Sequence, residues 1–265
     1  MPLACLDGVV TPAADARLPV TDEGLLRGDG VFEVIRLYEG RPFALAEHLT
    51  RMGGSAQNLR LPIDLAAIDA DVHALLAAQP GFEGALRVVV TRGGHRLALL
   101  ELLKPAPDVL AVVPVTYAPT RILDGVKSLS YAANMLAGRV AQEQGADEAL
   151  LTTPHGRVLE APTKSFFYAL DDGGTGGTLY TPPLDDHILD SITRRKLLEL
   201  VDVHERVTPL DDLAGATEAF LASTTHEVLP VGRIGDRALP VAPGPLTSAA
   251  AAAFRAHVEA ELAAQ

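Results

Sequence analysis

The run FEVIRLY, residues 32–38, sets apolar β-formers around two isolated charges, Glu33 and Arg36, and EGRP at 39–42 is a turn signal before a second short run. That pattern predicts a strand, a turn and a short strand. From AEHLTRMGGSAQNLRL the spacing becomes helical, and LAAIDADVHALLAAQ continues it with Leu, Ile, Val and Leu on one face. GALRVVVTRGG then predicts a strand running into a glycine turn, and DVLAVVPVTYAP another strand. Residues 1–115 therefore read as a small α/β domain, followed by a linker over residues 116–124 in the Pro-bearing stretch TYAPTRILDG.

Beyond the linker, KSLSYAANMLAGRVAQEQG predicts a helix stopped by Gly145, and EALLTTPHGRVLEA a hairpin turning at Pro154-His155-Gly156. DDGGTGGTL reads as a flexible turn and TPPLDDHILDSI as an extended segment. SITRRKLLELVDVHERV starts on a hydroxyl suited to an N-cap and continues as a helix. TEAFLASTTHEVLPVGRIG predicts strand, polar turn and strand, and TSAAAAAFRAHVEAELAA an alanine-rich amphipathic helix. Strands and helices alternate without a strict βαβ rhythm and without a solenoid repeat. The expected fold class is α/β (mixed α+β) in two domains, 1–115 and 125–265, rather than a doubly wound sheet.

Composition narrows the function classes. The 265 residues carry a formal net charge of −12, which disfavours nucleic acid or an anionic membrane as partner, since both require a basic face. A small anionic ligand needs only a few placed arginines. The single cysteine, Cys5, has no partner for an internal disulfide, and MPLACLDGVVTPAADARLPV lacks the basic start and apolar run of a signal peptide. These features predict a cytoplasmic protein. No GxGxxG fingerprint, P-loop, GxSxG or HExxH spacing is present; GDG at 28–30 is too short to count.

Four lysines occur, and three of them, Lys104, Lys164 and Lys196, sit where a solvated amine is expected. Lys127 differs, because Val126, Leu129, Tyr131, Met135 and Leu136 place its stem in apolar company. Desolvation disfavours a charged amine, which is the condition for a Schiff-base lysine. The plain alternative is a lysine at a helix entrance snorkelling to water. Glu160 ends a predicted strand before Pro162 and two phenylalanines, and reads either as a solvated turn carboxylate or as a partner for a pyridine nitrogen. Ser191-Ile192-Thr193 opens a helix, and Ser223-Thr224-Thr225 follows a strand. Hydroxyls beside free helix N–H groups suit phosphate, although plain capping accounts for the same residues. Arg51 is a candidate counter-charge, with a surface role as its alternative.

The order of these segments resembles the class IV, fold type IV, pyridoxal-phosphate aminotransferases: branched-chain and D-amino-acid aminotransferases and 4-amino-4-deoxychorismate lyases. The resemblance runs through GLLRGDGVFEVIRLYEG, EHLTRMGGSA, VTRGG, VKSLSYAANMLA, GADEALL, GRVLEAPTKSFF, DSITR and ASTTHEVLPV. It implies that Lys127 is the Schiff-base lysine and that Glu160 faces the pyridine nitrogen. It further implies that Arg51 meets the cofactor phosphate with Ser191, Ile192, Thr193 and Thr224, and that Leu189 packs on the cofactor ring. The implied architecture is two domains with pyridoxal 5'-phosphate between them, in a homodimer. Departures are Ala161 for the usual Gly, Ser165 and Ser130 for Asn, and Ser191 for Gly; none removes a reacting group.

The resemblance implies a ping-pong transaminase passing an amino group from a small-molecule donor to a keto-acid acceptor such as 2-oxoglutarate or pyruvate. FEVIRLY and STTHEVLPV are more similar to the D-amino-acid enzymes than to the branched-chain ones, and (R)-amines are a further donor class. Phe32 stands where the D-amino-acid enzymes usually have tyrosine, and TRGGHRLALL does not reproduce their Arg-x-His carboxylate trap. A substrate carboxylate still needs a cationic partner, so Arg87 or Arg96 is expected in that role, with Arg27 of a second subunit and Thr225 beside it. Arg96 reads equally as a surface loop charge. The alternatives are a 4-amino-4-deoxychorismate lyase, which Arg87 favours, a branched-chain L-amino-acid aminotransferase, and a non-catalytic binding protein on the same fold.

Overall fold

Alternation along GVFEVIRLY sends Val31, Ile35 and Leu37 to one side of the chain, all at 0% exposure, and a sheet is built around that strand. The computed structural model describes residues 2–171, 173 and 177–265, so the turn expected over DDGGTGGTL falls partly outside the described residues. The chain divides into two units: residues 1–105, 125–131 and 261–265 form the first, and residues 106–124 and 132–260 the second.

The first unit contains β1 (Leu3–Leu6), β2 (Val9–Pro12), α1 (Glu23–Arg27), β3 (Gly30–Tyr38), β4 (Arg41–Pro42), α2 (Leu45–Asn58), α3 (Leu65–Ala78), β5 (Gly84–Thr91) and β6 (Arg96–Glu101). Its six strands lie in the order β2-β1-β6-β5-β3-β4, all neighbours antiparallel. One face carries the core, where Val31, Ile35 and Leu37 meet Leu49 and Met52 of α2 and Ile68, Val72 and Leu75 of α3. Asp64 caps α3 by accepting from Ala66 N and Ala67 N at 3.0 and 3.1 Å.

The second unit contains β7 (Leu110–Thr116), α4 (Ala132–Glu143), β8 (Glu148–Thr152), β9 (Arg157–Val158), β10 (Ser165–Leu170), β11 (Thr178–Thr181), α5 (Ile192–Leu200), β12 (Val203–Glu205), β13 (Thr208–Pro209), β14 (Ala216–Ser223), β15 (Glu227–Ile234), β16 (Arg237–Ala238) and α6 (Pro245–Ala263) up to residue 260, the end of that helix being grouped with the first unit. These strands form one mixed sheet in the order β12-β11-β10-β14-β15-β7-β8-β9-β13, with β16 against β15. The Pro154-His155-Gly156 turn joins β8 to antiparallel β9, and Thr224-Thr225-His226 joins β14 to β15, both as expected. At the start of α6, Glu218 accepts from Leu246 N, Thr247 N and Thr247 Oγ1 at 3.2, 2.9 and 2.9 Å.

Four expectations need correction. The strand DVLAVVPVTYAP, assigned to residues 1–115, is β7, and it pairs in parallel with β8 and β15 of the second unit. Residues 116–124 are not a separate linker: they cluster with the second unit and hold a 3₁₀ turn at Arg121–Leu123. Lys127 is not on a helix, because α4 begins only at Ala132, and residues 125–131 cluster with the first unit rather than the second. Arg96 is not a loop residue either; it opens β6, paired with β5 from Val90↔Arg96 onward. Among the described residues no helix is long and apolar enough to cross a membrane.

Candidate active site

Lys127 is placed by backbone pairing. Phe32 N donates to Lys127 O at 3.0 Å and Leu129 N to Gly30 O at 2.9 Å, bracketing an antiparallel bridge between Val31 and Ser128. Lys127 is thereby a cross-strand partner of Phe32 and shares its face of the sheet. Its backbone N–H also donates to Ser55 Oγ of α2 at 3.1 Å. Gly30 permits this approach: a Cβ there would lie 2.5 Å from Val90 O and 2.6 Å from Leu129 Cδ1. So GDG at 28–30 is a packing device for the Lys127 segment, with Gly28 ending α1 at φ +67°.

The Lys127 amine lies 4.5 Å from the centroid of the Phe32 ring and 5.8 Å from that of Tyr131, and the two rings meet edge to face at 5.3 Å. The apolar company expected for the lysine is therefore these two rings. Met135 and Leu136, expected to contribute, are 39% and 55% exposed. Arg87 of β5 stands on the same face, its guanidinium carbon 5.6 Å from the Phe32 centroid, and its Nε donates to Glu101 Oε1 at 2.9 Å.

Arg96 is on the other face. It is the cross-strand partner of Val90, a core residue at 2% exposure, and its Nε donates to Asp71 Oδ2 of α3 at 2.9 Å. Sheet parity thus removes Arg96 from the neighbourhood of Lys127 and leaves Arg87 there, which corrects the pairing of the two as equivalent candidates. Arg27 ends α1 as an exposed residue in an ion pair with Glu23.

Behind the strand lies a buried charge cluster that the sequence reading missed. Glu33, at 0% exposure, accepts from Arg51 Nε at 2.7 Å on one oxygen and from Arg51 Nη2 at 2.6 Å on the other. His48 Nδ1 lies 2.8 Å from that second oxygen. Burial alone would raise the Glu33 pKa, but hydrogen bonds from Arg51 and His48 and the charge of Arg51 outweigh it and hold the carboxyl at about 2. Burial lowers the His48 pKa, more than the Glu33 carboxylate raises it. An ionised Glu33 only accepts, so the neutral imidazole carries its proton on Nδ1. Its Nε2 is then a buried lone pair with no hydrogen-bond partner among the described residues.

In the second unit, Glu160 follows β9, half-buried, and its Oε1 accepts from Leu189 N at 3.1 Å. Leu189 is likewise half-buried. Tyr117 lies close enough to Glu160 that burial, and then this carboxylate's charge, raise the phenol pKa. Ser191 is the N-cap of α5, its Oγ accepting from Arg194 N at 3.4 Å. Thr193 Oγ1, on a fully buried residue, is 3.5 Å from Thr224 Oγ1 in the β14–β15 turn. Thr225 Oγ1 contacts His226 Nδ1 at 3.0 Å. The capped helix start and the two threonine hydroxyls form a donor set suited to a phosphate group. Lys164, expected to be solvated, is instead 13% exposed and paired with Glu148 at 2.6 Å. No group of three or more potential metal ligands exists among the described residues.

Known proteins resemble the chain over most of its length. The family model for amino-transferase class IV matches residues 30–234. A provisionally named branched-chain-amino-acid aminotransferase of Methanocaldococcus jannaschii is 34% identical over 260 residues, covering 88% of each chain. A D-alanine aminotransferase of Bacillus licheniformis is 30% identical over 281 residues, covering 97% of each. A hypothetical aminotransferase of Mycobacterium tuberculosis, solved in its PLP-bound form, superposes with a TM-score of 0.86 at 26% identity, covering 98% of this chain and 100% of that one.

The Glu33 cluster sets a pH dependence of stability. A carboxyl at about 2 in the fold, against an ordinary 4.5, contributes stability above 4.5 that is lost as pH falls towards 2. His48, neutral when folded, opposes folding as pH drops below its ordinary 6.5. In urea denaturation the gap between wild type and Glu33→Gln narrows by on the order of 3 kcal/mol from pH 4.5 to pH 2; a constant gap would contradict the buried-anion assignment.

Proposed function

The chain belongs to the class IV aminotransferase family and is a pyridoxal-phosphate-dependent transaminase of fold type IV, and from that membership we propose that its amino donor is a D-amino acid and its acceptor a 2-keto acid such as 2-oxoglutarate or pyruvate. We place it in the cytoplasm as a homodimer. Each unit carries donor chemistry of the kind the cofactor needs: an amine at Lys127 and a guanidinium at Arg51 in the first, and a carboxylate at Glu160 with the hydroxyls and helix start at Ser191, Ile192, Thr193 and Thr224 in the second. In this reading Lys127 is the covalent tether, Glu160 keeps the ring nitrogen protonated, Arg51 and the α5 start hold the phosphate, and Leu189 packs on the ring. When bound, the cofactor supplies an electron sink for the charge left at the donor Cα.

The chain's own groups do the rest. With the cofactor bound, Lys127 Nζ would serve as the base that takes the proton from the donor Cα. Phe32 and Tyr131 flank that amine, their ring centroids 4.5 and 5.8 Å from Nζ. Arg87 receives the substrate carboxylate, with Thr225 and Arg27 of the second subunit as further contacts. The observation that carries the reading is the shared sheet face of Lys127 and Arg87, both within 6 Å of the Phe32 ring centroid, at 4.5 and 5.6 Å. It offers an amine and a carboxylate partner to one small amino acid. Support for the D series comes from FEVIRLY and STTHEVLPV and from the D-alanine aminotransferase matched over 97% of both chains. A branched-chain L-amino acid is the second reading, favoured by the 34% identical relative.

Steady-state rates with D-alanine, D-glutamate, L-leucine and (R)-1-phenylethylamine decide between them. The D-amino acids are expected to be the better donors, and turnover confined to L-leucine would sink the proposal. Lys127→Ala lowers kcat by on the order of 10⁴-fold or more, since it deletes a reacting group; retained turnover would remove the lysine from this role. Glu101 competes with substrate for Arg87, and both side chains are about one-third exposed (34% and 32%). An exposed pair of this kind is worth about 0–1 kcal/mol. Glu101→Gln therefore lowers KM for the keto-acid acceptor by about twofold to fivefold with little change in kcat, whereas a raised KM would argue against Arg87 as the carboxylate partner.

A further inference from the structure

Arg51 reaches the first unit's sheet from α2, whose residues 48 and 51 are three apart and so share a helix face. That face meets β3 at Glu33, an acidic residue at an inward position between Val31 and Ile35, both fully buried. A buried carboxylate is expensive unless its hydrogen bonds are met, and three donors meet this one: Arg51 Nε, Arg51 Nη2 and His48 Nδ1. Glu33 engages the side-on fork of the guanidinium, Nε with one Nη. The planar group then has its orientation fixed, with the end-on pair of Nη1 and Nη2 hydrogens directed away from the carboxylate. A lone arginine on a helix would retain several rotamers, but one clamped side-on to a fully buried strand residue has one.

We infer that Glu33, itself held by His48, is a positioning residue that fixes the Arg51 guanidinium for the phosphate group of the cofactor; the inference rests on the reading of Arg51 as a phosphate ligand. Glu33 and His48 touch no cofactor atom in this scheme. Their contribution is selective: it tightens binding of a phosphorylated ligand and leaves the unphosphorylated one unaffected. Charge alone predicts the opposite sign, because Glu33 cancels one positive charge beside a dianion. The two effects are therefore separable by experiment.

Apoprotein is titrated with pyridoxal 5'-phosphate and with pyridoxal, following the absorption of the bound chromophore, and the ratio of the two dissociation constants is the readout. Glu33→Gln is expected to weaken pyridoxal phosphate binding by about tenfold or more, the scale on which outer-layer hydrogen-bond partners act at ligand sites, with pyridoxal binding changed by less than about twofold. His48→Gln keeps the carboxylate but alters one of its donors, and reduces the phosphate preference by about twofold to tenfold, the worth of one hydrogen bond. This second variant decides the matter if Glu33→Gln does not fold. Parallel weakening of both ligands marks a merely structural role and overturns the inference, as does tighter phosphate binding in Glu33→Gln. Arg51→Gln serves as the control on the underlying reading. If it leaves the ratio unchanged, Arg51 is not the phosphate ligand and the reading itself fails. If it collapses the ratio while Glu33→Gln does not, only the positioning role fails.

Discussion

The chain leaves the first unit at Pro105 and returns to it at Gly125, where residues 127–129 hydrogen-bond to the N-terminal half of β3. That short pairing is the constraint on which the candidate site depends. It is made of two backbone hydrogen bonds around the Val31–Ser128 bridge, so the Lys127 side chain has only two choices of direction, one for each face of the sheet. Register makes the choice. Lys127 lies opposite Phe32, and a slip of one residue would send the amine into the apolar core with Val31 and Ile35. Gly30 protects the register, because a side chain there would collide with Leu129 and with the backbone of β5.

The same parity sorts the surrounding charges. On the face with Phe32 stand Lys127, Arg87 and, across the strand, Glu101; Glu33 and Arg96 point to the other, where His48, Arg51 and Asp71 meet them from the helices, and the Lys127 charge still reaches His48. Two arginines from one short stretch of sequence, Arg87 and Arg96, thus have unrelated surroundings. Arg87 faces an aromatic ring and a half-exposed glutamate. Arg96 ties the outer end of β6 to α3 through Asp71, which is 6% exposed.

Much of this was legible in the residues, and the failures have physical causes. FEVIRLY is rich in β-formers and closes on the EGRP turn signal, so β3 and the helix after it could be read directly. The Lys127 segment could not, because VKSL is too short for its period to separate a strand from the helix that follows it. β7 was assigned to the wrong unit for a related reason. Its own pattern says strand, but its parallel partners lie beyond Glu148 and beyond Glu227, and local pattern carries no information on such pairing. β6 was hidden by Gly93-Gly94, whose turn signal outweighed the short alternation in RLALLE. The Glu33 cluster did leave a signal: an acidic residue at an inward position of an otherwise apolar strand needs a partner, and His48 and Arg51 stand three apart on the next helix. Glu160, Thr193 and Thr224 became a set only through family resemblance, since no spacing rule joins a strand end, a helix start and a hairpin turn.

The two arginine–carboxylate pairs show how burial gives one chemistry two uses. Arg51–Glu33 has side chains at 12% and 0% exposure, whereas Arg87–Glu101 has them at 34% and 32%. In the first, water cannot replace either partner, and removing one leaves a buried charge at a cost of about 3–5 kcal/mol; the geometry is therefore kept whatever ligand arrives. In the second, water competes for both groups and the pair is worth about 0–1 kcal/mol, so a better carboxylate can displace Glu101 with little penalty. A guanidinium that must hold one orientation is served by the first arrangement. One that must release its partner and accept a transient anion at each half-reaction is served by the second, and a transaminase needs both.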